Sequence, residues 1–104
     1  MAFVKQRWLN AEASPVVTDA EEVPGTTTYG LQVDAAGSPS NFNIFLEGSL
    51  DGVDWFTLLA FSLGTGGNPR LEWVTGKPVT FIRINFAGFS GGSSPTMTAS
   101  VIAV

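Results

Sequence analysis

Three carboxylates, Glu47, Asp51 and Asp54, crowd one short stretch of this chain. Oxygen ligands at such spacing suit a hard cation such as calcium, and a carboxylate pair is also the minimum apparatus for glycoside hydrolysis. The spacing is not that of an EF-hand loop. Asp51-Gly52 is also the ordinary chemistry of a tight turn that needs positive φ, so the turn outweighs the cation site. Nothing in the pattern signals a raised pKa or a cleft. Histidine and cysteine are both absent, which removes the usual general base, the commonest metal ligand and any thiolate site. With only Lys5 and Lys77 as alternative bases, the serines and threonines cannot be assembled into a hydrolase triad. Gly64-Thr-Gly-Gly-Asn-Pro69 and Gly88-Phe-Ser-Gly-Gly-Ser-Ser-Pro95 look superficially like phosphate cradles. Neither ends in Gly-Lys-Ser/Thr nor leads into a helix, so both are expected to be mobile strand connections, able to rim a ligand site or touch a neighbouring subunit. The sequence predicts no enzyme, no cofactor and no metal.

The aromatics are the more informative class. Trp55 and Phe61 are expected in the core. Trp8, Trp73, Phe56 and Phe89 each lie beside a polar or glycine-rich segment. Core packing is the commoner fate of an aromatic in a β domain, but an exposed tryptophan points to sugar stacking or a protein interface. Phe3, Trp8, Trp73 and Phe89 are the candidate interface residues.

These side chains need a scaffold, and composition indicates its kind. At 104 residues the chain fits one domain, residues 1–104, large enough to bury a single core without disulfide or metal staples. Hydrophobic residues make up 44% and charged residues 13%, too apolar a balance for disorder. Few charges with many Gly, Ser and Thr suit a β domain whose faces largely meet other protein. A net charge of −4 offers no surplus of cations to displace counterions from a phosphate backbone, so no nucleic-acid partner is expected. Lys5 and Arg7 interrupt the place where a secretory hydrophobic region would lie, and no run approaches the ~20 apolar residues of a membrane span. The expectation is a protein kept in the cytoplasm or released when the cell bursts, with no membrane partner.

Period-2 alternation, the mark of a half-buried strand, recurs along the chain. Phe3 to Leu9 alternates, with Phe3, Lys5, Arg7 and Leu9 on one side and Val4, Gln6 and Trp8 on the other; residues 1–12 are read as an N-terminal arm or an edge strand. A short strand over Val16 to Thr18 is followed by an acidic loop or helical turn from Asp19 to Pro24. Thr26 to Asp34 alternates again, and Ala35 to Asn41 is a polar loop. Phe42, Ile44 and Leu46 share one face of a strand that returns as Trp55 to Phe61. Short strands follow at Arg70 to Thr75, Val79 to Ala87 and Thr96 to Val104; the last, apolar and uncharged at its end, is expected inside a sheet. Seven to eight short strands with turn signals between them predict an all-β antiparallel sandwich or barrel.

The hairpin around the carboxylates also carries a family likeness. Glu47-Gly-Ser-Leu-Asp-Gly-Val-Asp-Trp55, followed by Phe81-Ile-Arg-Ile-Asn85, resembles the discoidin-like (factor V/VIII type C), galactose-binding-like jelly rolls. There a Ser-x-Asp-Gly-x-x-Trp hairpin precedes an aromatic-Ile/Val-Arg-Ile/Val strand. The likeness covers residues 42 to 87 and hardly touches the N-terminal part. It implies structural roles for Ser49, Asp51, Gly52, Trp55 and Arg83: Asp51-Gly52 makes the turn, Trp55 packs beneath it, and Arg83 pairs with a nearby carboxylate or carbonyl. The chain is shorter than the family, lacks its cysteines and has no recognisable ligand-binding loop set. In that compactness, and in its Gly-Gly-Ser-Ser-Pro-Thr-x-Thr ending, it resembles small virion proteins of tailed bacteriophages. The resemblance implies a capsid decoration (cement) subunit, located on the virion and assembled in the host cytoplasm. Its partners would be the major capsid protein or other virion subunits and further copies of itself, a trimer among the forms. The alternative is a carbohydrate-binding module, with Trp73 and Trp8 stacking on sugar rings, or a tail or baseplate subunit contacting host glycans.

Overall fold

The computed structural model describes residues 2–104, apart from the side chains of residues 65 and 66. The described chain forms nine strands: β1 (Phe3–Glu12), β2 (Val16–Val17), β3 (Glu21–Thr26), β4 (Tyr29–Ala36), β5 (Asn41–Ser49), β6 (Phe56–Ser62), β7 (Arg70–Val74), β8 (Val79–Ser90) and β9 (Thr96–Ala103). One helical turn, α1 (Leu63–Gly66), joins β6 to β7. All strand pairings are antiparallel. The first sheet runs β1-β9-β4-β7 and the second β2-β8-β5-β6, with β3 continuing β2 along the same side of β8. With β2 and β3 taken as one bent strand, the two sheets have jelly-roll order, the fold class expected from the sequence.

The core follows from alternation. Tyr29, Leu31 and Val33 of β4, Phe42, Ile44 and Leu46 of β5, Ile82, Ile84 and Phe86 of β8, and Met97, Ala99 and Val101 of β9 are all buried between the sheets. The C-terminal strand lies between β1 and β4, so its uncharged residues meet neighbours on both sides. At the open side formed by β6 and β7, the Arg70 guanidinium lies 4.4 Å from the Phe61 ring centroid and pairs with Glu72. Charges turned inward at an edge strand discourage another chain from adding to it.

Several elements depart from the sequence reading. Of the two alternatives for residues 1–12, Phe3–Glu12 takes the edge strand, but its alternation is broken where Arg7 and Ala11 take positive φ values of 49° and 53°. These bulges leave Trp8 half-buried and Leu9 buried in succession. The acidic stretch expected as a loop or helical turn contains β3: Glu21 and Glu22 pair with Ile82 and Phe81, Val23 is buried, and Lys5 neutralises Glu21 at 2.5 Å. Strand β8 runs on through Gly88-Phe89-Ser90, past the expected loop boundary; Gly88, at φ 108°, follows a bulge that keeps this extension paired with β5.

Candidate interaction surfaces

The β5–β6 turn is built from its own polar groups. The Ser49 hydroxyl accepts the Gly52 amide at 2.9 Å and donates to Asp51 Oδ1 at 3.0 Å. The same Oδ1 accepts the Val53 amide at 2.9 Å and the Asp54 amide at 3.0 Å. Hydrogen bonds to the charged form favour it, and those from the Asp54 and Val53 amides and the Ser49 hydroxyl hold the Asp51 carboxyl below its ordinary value of 3.8. Gly52 sits at φ 78°, which glycine adopts without strain. Asp51 therefore spends its oxygen on the chain itself. Glu47 is likewise engaged, accepting Arg83 Nε at 2.8 Å and Asn85 Nδ2 at 3.4 Å. Among the described residues, no group of three or more Asp and Glu side chains is arranged to hold a metal ion.

Trp55 does not lie where the family likeness put it. Phe81 is the ring beneath the turn, 3.7 Å from where a Cβ on Gly52 would sit. Trp55 is half-buried on the outward side, its ring centroid 4.2 Å from the Arg83 guanidinium carbon. The physical reason is the pleat. Arg83 and Glu47 face each other across the β5–β8 ladder on the side away from the core, and the indole covers the arginine there. Arg83 thus has the carboxylate partner the likeness implied, with the tryptophan stacked upon it. Phe61, by contrast, is buried.

The four candidate interface aromatics divide. Phe3 and Trp8 meet edge to face with centroids 6.5 Å apart, and both pack against the core. Lys5 lies 5.0 Å from the Trp8 centroid. Phe89 packs edge to face on Phe86 at 5.1 Å. These three are partly buried and make ring contacts within the domain. Trp73 alone of the four stands out into solvent, 70% exposed. The second glycine-serine loop is tied to the β4–β5 connection, because the Ser93 amide donates to Gly37 and the Ser40 amide to Ser90, each at 2.8 Å. A Cβ on Gly92 would fall 2.8 Å from the Gly37 oxygen, so its glycine serves close backbone packing rather than mobility. In the first loop, Asn68 accepts the Ala35 amide and donates to the Ala35 carbonyl, both at 2.8 Å. Its side chain extends the β4–β7 ladder by one rung.

Most of the exposed large apolar side chains among the described residues fall in two patches, of whose members sequence reading singled out only Phe56 and Trp73. One is at the hairpin end: Leu50, Val53 and Phe56, the last 67% exposed. The other lies on the outward face of the first sheet, where Val4, Ile102, Gly30 and Trp73 fall in one cross-strand row, with Leu71 and Val104 also exposed. Leu71, Trp73, Ile102 and Val104 alternate with inward residues, a signal present in the sequence but uninterpretable until the sheet order was known.

No protein-family model matches this chain, and no curated protein matches it. Among solved structures, the SPBc2 prophage-derived protein YomS superposes with a TM-score of 0.70 at 12% identity, covering 99% of this chain and 92% of that one. CBM32-1 from a family 31 glycoside hydrolase of Clostridium perfringens aligns with a TM-score of 0.41 at 19% identity, over 94% of this chain and 75% of that one. The sandwich is thus one that a prophage-derived protein also adopts.

Proposed function

We propose that the protein is a non-enzymatic structural subunit of a tailed-bacteriophage particle, most specifically a capsid decoration subunit that stabilises the head by protein contacts. The reading is supported chiefly by the fold shared with a prophage-derived protein over nearly the whole chain. The candidate contact surface is the hairpin end, where Leu50, Val53 and Phe56 stand on a turn held rigid by Ser49 and Asp51. Each such side chain, once buried against a coat subunit, contributes about 1.5–3 kcal/mol before the costs of ordering and lost translation. A rigid turn reduces those costs, since its backbone is already fixed before contact. The partners in this reading are the major capsid protein and further copies of the chain, on a virion assembled in the host cytoplasm.

Cryo-electron microscopy of the parent particle, with and without the gene for this chain, tests the proposal. Extra density at seams between coat subunits, lost in particles made with Leu50→Ser plus Phe56→Ser, is the expected result. Particles that show no such density and resist heat and osmotic shock equally well without the protein would exclude a cementing role.

A further inference from the structure

Val4, Leu71, Trp73, Ile102 and Val104, all exposed, share the outward face of the first sheet. Apolar surface gathered in this way marks a place where another molecule packs. The face also carries one cation and one anion, Arg7 and Asp34, whose side chains make no hydrogen bond or ion pair among the described residues. Gln32 between them is equally unpaired. A lipid surface would leave these polar groups without partners, and a polyanion would meet Asp34 on a chain of net charge −4. A second copy of the chain supplies what each group lacks. Its carboxylate answers the guanidinium, its guanidinium answers the carboxylate, and an amide, which both donates and accepts, answers an amide.

The register shows that one symmetry operation makes these matches together. Rows on this face follow one another along β9, β4 and β7: first Ile102, Gly30 and Trp73, then Ser100, Gln32 and Leu71, then Thr98 and Asp34. Neighbouring strands lie about 4.8 Å apart and successive rows about 6.6 Å apart. The Arg7 amide, bonded to Ser100 Oγ at 2.9 Å, sets Arg7 level with the second row, across β9 from Asp34. Consider a two-fold axis lying in the plane between two stacked faces. Let it run diagonally from Trp73 past Gln32 to the point between Arg7 and Asp34. Rotation about it lays Arg7 of one copy on Asp34 of the other and Ile102 on Leu71, and it brings Trp73 and Gln32 against their own counterparts. An interface of this kind uses the same patch twice and is closed by the dimer. No like charges meet. The trough of about 520 Å³ on each face then opens towards its counterpart, and its polar lining suits bridging water.

We infer that the outward face of the first sheet is a two-fold interface with a second copy of this chain, with Arg7 and Asp34 paired reciprocally across it. At four strands wide and eight residues long in β4 and β9, the face offers about 500 Å² per copy. About 1,000 Å² from both copies is the lower bound of a specific interface, so the dimer should dissociate in the micromolar range. The inference deepens the contacts between copies named in the proposed function. It does so on a surface separate from the hairpin end assigned to the coat, so either assignment can fail alone.

Sedimentation velocity and amide chemical shifts of the purified chain, from about 5 µM to about 1 mM, test it. A monomer–dimer equilibrium is expected, with concentration-dependent shifts centred on Gly30, Gln32, Ser100 and Ile102. Trp73→Lys should weaken it at least tenfold, because two cations then meet at the axis. Arg7→Asp and Asp34→Arg should each do the same, and the two together should restore dimerisation to within about threefold of the original. Leu50→Ser plus Phe56→Ser, which removes the proposed coat contact, should leave it unchanged. Circular dichroism checks folding; should Arg7→Asp not fold, Ile102→Lys and Leu71→Glu, singly and combined, carry the same test. A chain that stays monomeric throughout, shifts centred on the hairpin end or the second sheet, or a combined charge exchange without recovery would overturn the inference.

Discussion

The buried phenol of Tyr29 makes a sharp test of how the two sheets are joined. Its ring is fully buried, and its hydroxyl donates to the Thr26 carbonyl at 2.9 Å while accepting the Val79 amide at 3.2 Å. Thr26 and Val79 are opposed across β3 and β8 at the point where Pro24-Gly25 disturbs the register. The phenol therefore stands in for a ladder bond and ties β4 of one sheet to β8 of the other. Tyr29→Phe keeps the ring but strands a carbonyl and an amide. The buried carbonyl should bear most of the penalty, at about 1–3 kcal/mol, and the half-buried amide less because water reaches it. A total near 2–3 kcal/mol corresponds to a fall in Tm of about 8–20 °C for a domain of this size. Urea unfolding followed by fluorescence should show an earlier midpoint with an unchanged slope, since the exposed area on unfolding does not alter. A loss under about 0.5 kcal/mol would refute the reasoning, because a buried carbonyl left unpaired cannot be that inexpensive.

Two further outcomes follow from the hairpin. Trp55→Ala should cost about 1–2 kcal/mol in denaturant unfolding: the ring is only half-buried, so its loss removes partial burial and a cation–π contact rather than opening a core cavity. A cost above about 3 kcal/mol would return Trp55 to the core. Asp51 has a lowered native pKa, so its contribution to stability is fully present above the unfolded value near 3.8 and is lost as pH falls below it toward the native value. Asp51→Asn should flatten that acid limb in Tm measured from about pH 5 to about pH 2; wild-type and variant curves that stay parallel would show that the carboxylate does not drive it.

Much of the architecture was legible because it rests on local rules. Alternation in Tyr29 to Val33, Phe42 to Leu46 and Met97 to Val101 marks the core face of each strand without reference to any partner. Asp51-Gly52 announces its turn through its own side-chain acceptor and the positive φ of glycine. The missed features share one property, which is that their cause is distant in the chain. Glu21 and Glu22 read as a loop until β8 and Lys5 stand beside them. The β1 bulges depend on the hydroxyls of Thr98 and Ser100, and Asn68 looks like loop sequence until Ala35 supplies its partners.

The candidate surfaces follow the same division. Sequence alone determined that no histidine or cysteine chemistry is available, that the chain forms a β sandwich, and that its carboxylate cluster is turn chemistry. Which aromatics remain free was decided only by tertiary structure, since a side chain's exposure depends on what packs across from it. Phe3, Trp8 and Phe89 found partners within the domain, whereas Trp73, opposite a glycine, did not. The outward face of the first sheet has the same origin. Gln6, Gly30, Gln32 and Ser100 come from three strands far apart in sequence, and only the β1-β9-β4 order places them on one face.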